Sequence, residues 1–468
     1  MLDDTIAAIA TPSGRGGIGI VRISGPMAVN IAIALFRKQS ERSLPTRKLS
    51  CDHWSSHELK YGLIVHPQNR RIIDEVLMVV MKAPNSYTRE DVVEIQCHGG
   101  TAVLQKILDL VITQGARLAE PGEFTRRAFL NGRIDLSQAE GVADLIHADS
   151  EFALQSAAEQ LRGGIGRIIE ELINKLADII ASLQAEIEFG DEIDERIGRQ
   201  ELLLKIKNDI VTPVERLIVK YDDGHLLRDG VRLGIIGRPN VGKSSLLNLF
   251  IGQEKAIVTE YPGTTRDPIE ARYIIQGIPF IIIDTAGIHD TRDPIEVIGI
   301  RKAQEEIDAA DLLLWVVQAT DPPHQAQFDG FNKIDSQKVI LVINKIDLLD
   351  KDKIQETKHK FRDYEEIFVV SALTGEGIEQ IKRAIIERCM KSDTTQRDPI
   401  IPTMRQKNCL QTCYDSLERA CNGIMNDASD ELIVSDLQQG RIALGRISGK
   451  EVNLDDLDRI FARFCIGK

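Results

Sequence analysis

No run of about eighteen apolar residues occurs anywhere in this 468-residue chain, so no membrane-crossing helix is expected. The N-terminus opens on Asp3 and Asp4 and has no basic segment leading into an apolar one, so no secretory signal is expected. The seven cysteines are odd in number, scattered, and form no CxxC pair. That pattern speaks against a disulfide framework or a zinc site, and Cys409 and Cys413, four residues apart, read as one helix face. A reduced, cytoplasmic location is the expectation. No block of basic residues forms a nucleic-acid-binding tail, so any RNA contact must use a local patch.

What is present is a soluble, globular composition, 43% hydrophobic and 28% charged, in a chain too long for one core. The net charge of −13 is unevenly spread. Basic residues are in slight excess over residues 1–118, and most of the acidity lies in 119–231. The first 118 residues mix strand-like runs (Ile18 to Ile23, Glu75 to Val80, Val92 to Gln96) with a helical pattern from Thr101 to Gln114. Two glycine-rich pieces there, Gly14-Arg15-Gly16-Gly17 and His98-Gly99-Gly100, read first as turns.

After Pro121-Gly122 the chain becomes rich in Ala, Leu and Glu. Ile165, Ile168, Leu172, Leu176, Ile179, Leu183 and Ile187 form one helical stripe, which requires a bundle to cover it, and Gly163-Gly164 separates it from the helix before. Strand-like and helix-like segments then alternate to about residue 395, as in a doubly wound sheet. Helical character returns after Pro399-Ile400-Ile401-Pro402 and ends on Leu454, Leu457, Phe461 and Phe464. The expected architecture is multidomain α/β plus all-α. An α/β domain spans 1–118, a helical domain is split between 119–230 and 396–468, and a doubly wound domain at 231–395 is inserted into it.

The inserted domain carries the clearest chemistry. Gly237-Arg238-Pro239-Asn240-Val241-Gly242-Lys243-Ser244 lies between an apolar strand and the start of a helix. Its glycines let backbone N–H groups surround a phosphate at the positive end of the helix dipole. Lys243 reaches the β- and γ-phosphates, and the Ser244 hydroxyl meets Mg²⁺. Thr264 and Thr265, in Pro262-Gly263-Thr264-Thr265, offer a further Mg²⁺ ligand, and Asp284-Thr285-Ala286-Gly287 ends a buried strand. In Asn344-Lys345-Ile346-Asp347 the carboxylate can accept the N1–H and the exocyclic amine of guanine, which adenine does not offer together. Ser371-Ala372-Leu373 supplies a backbone N–H for the guanine O6. Five such pieces in order specify a GTP site. Ile288 stands where Ras-like GTPases carry a water-orienting glutamine, so hydrolysis requires another group. Glu296 is a candidate, or else an ordinary solvated carboxylate at a helix start.

Over its whole length the chain resembles the MnmE (TrmE) family of tRNA modification GTPases. The resemblance rests on Thr11-Pro12 with Gly14-Arg15-Gly16-Gly17, on Ala83-Pro84-Asn85-Ser86-Tyr87-Thr88 with Glu90-Asp91, and on His98-Gly99-Gly100. It continues in Pro121-Gly122-Glu123-Phe124-Thr125, Arg127-Ala128-Phe129-Leu130-Asn131-Gly132, Asp135-Leu136 and the terminal Phe464-Cys465-Ile466-Gly467-Lys468. It implies an N-terminal tetrahydrofolate-binding domain that pairs into a homodimer, a helical domain, and an inserted Ras-like P-loop GTPase domain. It implies too that the protein works with a MnmG-type FAD partner, in a heterotetramer, on tRNA. The reaction adds a carboxymethylaminomethyl or aminomethyl group to C5 of the wobble uridine. The one-carbon unit comes from a 5-formyl or 5,10-methylene tetrahydrofolate, and FAD enters only through the partner.

Matched residue by residue, folate falls on Arg22, Glu94, Arg133 and Lys468. K⁺ falls on Asn240, Thr259, Tyr261 and Thr264, and Mg²⁺ on Ser244 and Thr265. The K⁺ completes its site when two G domains pair and replaces an arginine finger. GTP is expected against Asn240, Val241, Gly242, Lys243, Ser244 and Ser245, and against Thr259, Glu260, Tyr261, Pro262, Gly263, Thr264 and Thr265. The remaining GTP positions are Asp284, Thr285, Ala286, Gly287, Asn344, Lys345, Asp347, Ser371, Ala372 and Leu373. Lys243 and Glu296 are the catalytic candidates for hydrolysis. Cys465 is either catalytic in the modification or a small residue anchoring the tail. Arg133 stands where the family often has lysine, and His289 where it often has arginine. A GTP-regulated RNA-binding assembly factor is the alternative function, but residues 396–468 lack the basic GxxG module that it calls for.

Overall fold

A computed structural model describes the chain apart from residues 1–3, 13, 39–53, 190–197, 239, 253–255, 258–270, 276–277, 285–307, 321–337, 362–365, 390–398, 463, 465 and 468. It divides into two compact units: Met1–Ala143 with Gln160–Thr212 and Cys409–Lys468, and Asp144–Glu159 with Pro213–Asn408.

The first unit is built on seven strands: β1 (Ile6–Ile9), β2 (Gly16–Ser24), β3 (Phe36–Lys38), β4 (Leu59–Val65), β5 (Ile72–Met81), β6 (Val92–Gly99) and β7 (Arg117–Leu118). They lie in the order β3-β4-β5-β6-β2-β1-β7. Side chains alternate between sheet faces. Val21, Ile23, Val76, Met78, Val80, Val93, Ile95 and Cys97 therefore share one buried face with the helices Ala28–Leu35 and Thr101–Thr113. The other face stays partly open, and it carries Arg22 and Glu94 as directly opposed partners in the β2–β6 ladder.

The helical part of this unit is led by Gly164–Phe189, which packs on Asp430–Ser448. Its buried stripe runs Ile165, Ile169, Leu172, Leu176, Ile179, Ile180 and Leu183. The expected Ile168 is only half-buried and Ile187 is exposed. The reason is geometric. Both Ile168 and Ile169 fit steps of three or four from Ile165, so the packed partner helix sets which turns inward, and Ile187 falls in the helix's last turn. As expected, Gly163 interrupts the helix before it, in the left-handed region at φ 80°. The closing helix Leu454–Phe461 starts with the Asn453 side chain accepting the Asp456 N–H at 2.8 Å; its Leu457 and Phe461, with Phe464 just past its end, are buried against Ala128, Leu136 and Ala139.

The second unit contains β8 (Val231–Ile236), β9 (Ala256–Ile257), β10 (Ala271–Ile275), β11 (Ile278–Asp284), β12 (Leu312–Gln318), β13 (Val339–Asn344) and β14 (Ile367–Val369). The order is β14-β13-β12-β8-β11-β10-β9. Strands β14, β13, β12, β8 and β11 are parallel, and β10 and β9 complete the edge antiparallel. Strands covered on both faces read as unbroken apolar runs. Val339 to Asn344 is buried at all six positions, and successive residues feed two cores. Leu314, Val316, Ile340 and Val342 point into one, and Leu313, Trp315, Leu341 and Ile343 into the other. The strand order reverses at β8, which places a ligand crevice beyond the carboxyl ends of the central strands.

Candidate functional site

The loop after β8 sits at that reversal. Gly237 and Gly242 adopt φ 149° and 96°, and Asn240 adopts a left-handed φ of 62°. At Gly242 a Cβ would strike the Asn344 amide, so a side chain is barred there by space as well as by φ. Lys243, at the start of the helix Lys243–Gly252, donates to the carbonyls of Gly237 at 2.6 Å and Arg238 at 2.8 Å. The ammonium group is thereby held against the loop that a phosphate would occupy.

Asn344, buried at the end of β13, joins three of the sequence motifs. Its Nδ2 donates to Val241 O at 2.8 Å, and its Oδ1 accepts the Ala372 N–H at 2.9 Å. Lys345, left-handed at φ 66°, donates to Asn240 O at 2.6 Å and to Gln318 Oε1 at 3.0 Å. The Ser371 hydroxyl donates to Asp347 Oδ1 at 2.6 Å and accepts the Thr374 N–H at 3.1 Å. The carboxylate that the sequence assigns to guanine is thus fixed in orientation. The Ser371 N–H is taken by Glu376 O and that of Ala372 by Asn344, leaving Leu373, which is 84% exposed, as the outermost of the three.

Ser244 and Ser245 are exposed on the first turn of the helix, and Asp284 ends β11 beside Ile235 of β8. Thr259, Glu260, Tyr261, Pro262, Gly263, Thr264, Thr265, Thr285, Ala286, Gly287, Ile288, His289 and Glu296 lie outside the described residues, as do Cys465 and Lys468.

A second cluster occupies the open face of the first sheet. Arg22 Nε–H donates to Glu94 Oε1 at 2.8 Å, and Nη1 donates to Gly467 O at 2.9 Å, across 445 residues of sequence. Gly467 makes this return possible. It lies at φ 91°, and a Cβ would collide with the backbone of Ile9 and Ala10. The Arg22 guanidinium also stands 5.8 Å from the Tyr87 ring and 5.7 Å from that of Phe124. Arg133 covers the same Tyr87 ring at 4.7 Å and donates to its carbonyl at 3.1 Å. Tyr87 OH bonds Thr125 Oγ1 at 2.9 Å. Burial pushes the Tyr87 phenol up, against the pull of Thr125, Arg133 and Arg22.

Three of the residues expected at folate therefore meet: Arg22, Glu94 and Arg133. Tyr87 and Phe124, which sequence reasoning quoted without a role, form the aromatic part of the same cluster. Their signal was their place inside the Ala83–Thr88 and Pro121–Thr125 motifs. The donor set suits a folate: guanidinium groups for a glutamate tail, a carboxylate for the pterin amide edge, and aromatic faces for its rings.

Comparison with known proteins matches two family models. One, described as GTP-binding protein TrmE N-terminus, covers residues 5–133, and the other, the MnmE helical domain, covers residues 136–465. A protein named tRNA modification GTPase MnmE from Thermoanaerobacter pseudethanolicus is 43% identical over 469 residues, covering 100% of both chains. Proteins of the same name from Acetivibrio thermocellus and Clostridioides difficile are 41% and 42% identical. The first alignment covers 100% of this chain and 99% of the relative, and the second 100% of each.

Proposed function

Since the chain belongs to the MnmE family of tRNA modification GTPases, we propose that it hydrolyses GTP to drive modification of the wobble uridine at C5. It acts with an FAD-containing partner and a tetrahydrofolate one-carbon unit. The observation that carries the nucleotide half is the Asn344 bridge. One buried amide ties the phosphate loop through Val241 to the Ser371–Leu373 loop through Ala372. Three of the expected GTP motifs are thereby drawn together beyond the carboxyl ends of β8, β13 and β14. Asp347, aligned by Ser371, accepts the guanine N1–H and amine.

Lys243 leaves the loop carbonyls for the phosphates when they offer a stronger, charged acceptor. Among the metal ligands expected, Asn240 and Ser244 are exposed at the loop and helix start, where K⁺ and Mg²⁺ would meet the phosphates. A K⁺ held by Asn240 and its partners would supply positive charge to the phosphoryl oxygens. Glu296 orients the attacking water. The one-carbon half belongs to the Arg22, Glu94 and Arg133 cluster, which holds the folate by its tail and pterin edge; Lys468 adds a further cation. In the assembled state the chain is a homodimer that binds a MnmG-type protein and tRNA.

The test is nucleoside analysis of tRNA from cells lacking this gene. Loss of the C5-modified wobble uridines is expected, and unaltered wobble uridines would overturn the assignment.

A further inference from the structure

Arg127 is an unusual residue to bury completely. It lies on the helix Glu123–Leu130 at 0% exposure, and its side-chain hydrogen bonds among the described residues go to Asp4, Glu90 and Glu123 and to none of Arg22, Glu94 and Arg133. Nη2 donates to Asp4 Oδ1 at 2.7 Å and Glu123 Oε1 at 3.1 Å. Nη1 donates to Asp4 O at 2.9 Å and reaches both Glu90 oxygens at 3.2 and 3.3 Å. Burying a cation is costly, and a well-packed apolar residue often stabilises as much, so fold stability alone is weak grounds for this cluster.

Two of its partners are more telling, because Glu90 bonds into the folate cluster and Glu123 shares the helix that borders it. Glu90 accepts from the Ser24 hydroxyl at 2.7 Å, and Ser24 lies two residues beyond Arg22 on β2. With its proton given to Glu90, Ser24 Oγ accepts from Thr88 at 2.7 Å, the residue next to Tyr87. Asn131, at the end of the Arg127 helix, donates to Thr88 O at 2.6 Å. The helix itself supplies Phe124 beside Arg22 and Thr125 to the Tyr87 hydroxyl.

We propose that Arg127 is a positioning residue for the one-carbon site. Through Glu90 it fixes the Tyr87–Glu90 segment against β2, and through Glu123 and Asp4 it fixes the helix that carries Phe124 and Thr125. It acts by holding Arg22, Tyr87 and Phe124 in register and does not touch the ligand. The identity of the ligand rests on the folate reading above, whereas the positioning claim does not.

The experiment uses the full-length protein, with 5-formyltetrahydrofolate as the probe in equilibrium titrations of wild type, Arg22→Ala, Arg127→Lys and Glu90→Gln. Lysine keeps the charge but loses the guanidinium fork. Arg127→Lys should raise the probe's dissociation constant on the order of tenfold, a typical coupling between neighbouring residues. GTP affinity should stay within about twofold, because the GTP motifs form a separate cluster. Glu90→Gln should shift the probe affinity in the same direction by less, and it decides the matter should Arg127→Lys fail to fold. Hydrogen exchange without ligand should quicken at residues 84–91 in both variants and stay unchanged in β4 and β5. Wild-type probe affinity together with wild-type exchange in these variants would overturn the proposal. If wild type does not bind the probe, or Arg22→Ala binds as tightly as wild type, the folate reading fails, and the exchange of residues 84–91 alone decides the positioning claim.

Discussion

Replacing Asn344 with alanine should cripple nucleotide binding while leaving the chain folded. The side chain is 1% exposed and makes two hydrogen bonds of ordinary length, to Val241 O at 2.8 Å and from Ala372 N at 2.9 Å. Each is worth about 0.5–1.5 kcal/mol net, and orphaning a buried partner raises the loss to about 1–3 kcal/mol. At about 1–2 kcal/mol for each of the two bonds, a total of about 2–4 kcal/mol in the cost of organising the two loops corresponds to about 30- to 700-fold in affinity. A fluorescent GDP analogue titrated into full-length protein measures it. Gly242→Ala should weaken binding as well, since its new Cβ meets the Asn344 amide and its φ of 96° disfavours a side chain. In the Asn344→Ala background that collision is gone, so the two losses should fall short of additivity by about 0.5–3 kcal/mol. Affinity within about twofold of wild type for Asn344→Ala, in folded protein, would refute the reasoning.

Glu296→Ala should leave GTP affinity intact and slow turnover roughly 10²–10⁴-fold, the span for a lost positioned acid–base group, and near-normal turnover removes Glu296 from the mechanism. Burial pushes the Cys413 thiol up to about 12 and those of Cys97 and Cys421 to about 11. All three should therefore resist iodoacetamide at pH 8 in folded protein and react once urea is added; labelling at the rate of an exposed thiol would contradict their burial. Asp4 and Glu123 would be raised by burial, but Arg117 and Arg127 hold both carboxylates below their ordinary values. The stability they confer is complete above the unfolded carboxylate pKa and is lost as pH falls through the lower folded values. Thermal unfolding followed downward from pH 5 should show this loss, and Arg117→Met should lessen it.

What the sequence made legible was whatever local pattern dictates. The Val- and Ile-rich run Ile18 to Ile23 placed β2, now Gly16–Ser24, and the apolar run before Gly237 placed β8. The GTP motifs could be read because each is a short stretch, and all but Thr264-Thr265 follow a strand-like run. The Arg22 cluster could not be assembled that way. Its hydrogen bonds span 72 residues to Glu94 and 445 to Gly467, so only the completed sheet and the returning chain end bring them together. Arg127 was hidden for another reason: arginine is ordinarily a surface residue, and nothing in its neighbours' spacing marks it as buried. The helix stripe shows the smaller kind of miss. Ile168 and Ile169 are equally apolar, and only the partner helix decides which of them turns inward.

The central claim is that GTP turnover in one part of this chain drives uridine chemistry served by another. Its most direct test is reconstitution: the purified chain, its FAD-containing partner, a tetrahydrofolate one-carbon donor, K⁺, Mg²⁺, a glycine or ammonium source, and tRNA from cells lacking this gene. Mass spectrometry should show the added group on the wobble uridine with GTP, and none with GDP or with Lys243→Ala. Modification that proceeds equally with GDP, or an unmodified uridine with every component present and GTP being hydrolysed, would contradict it.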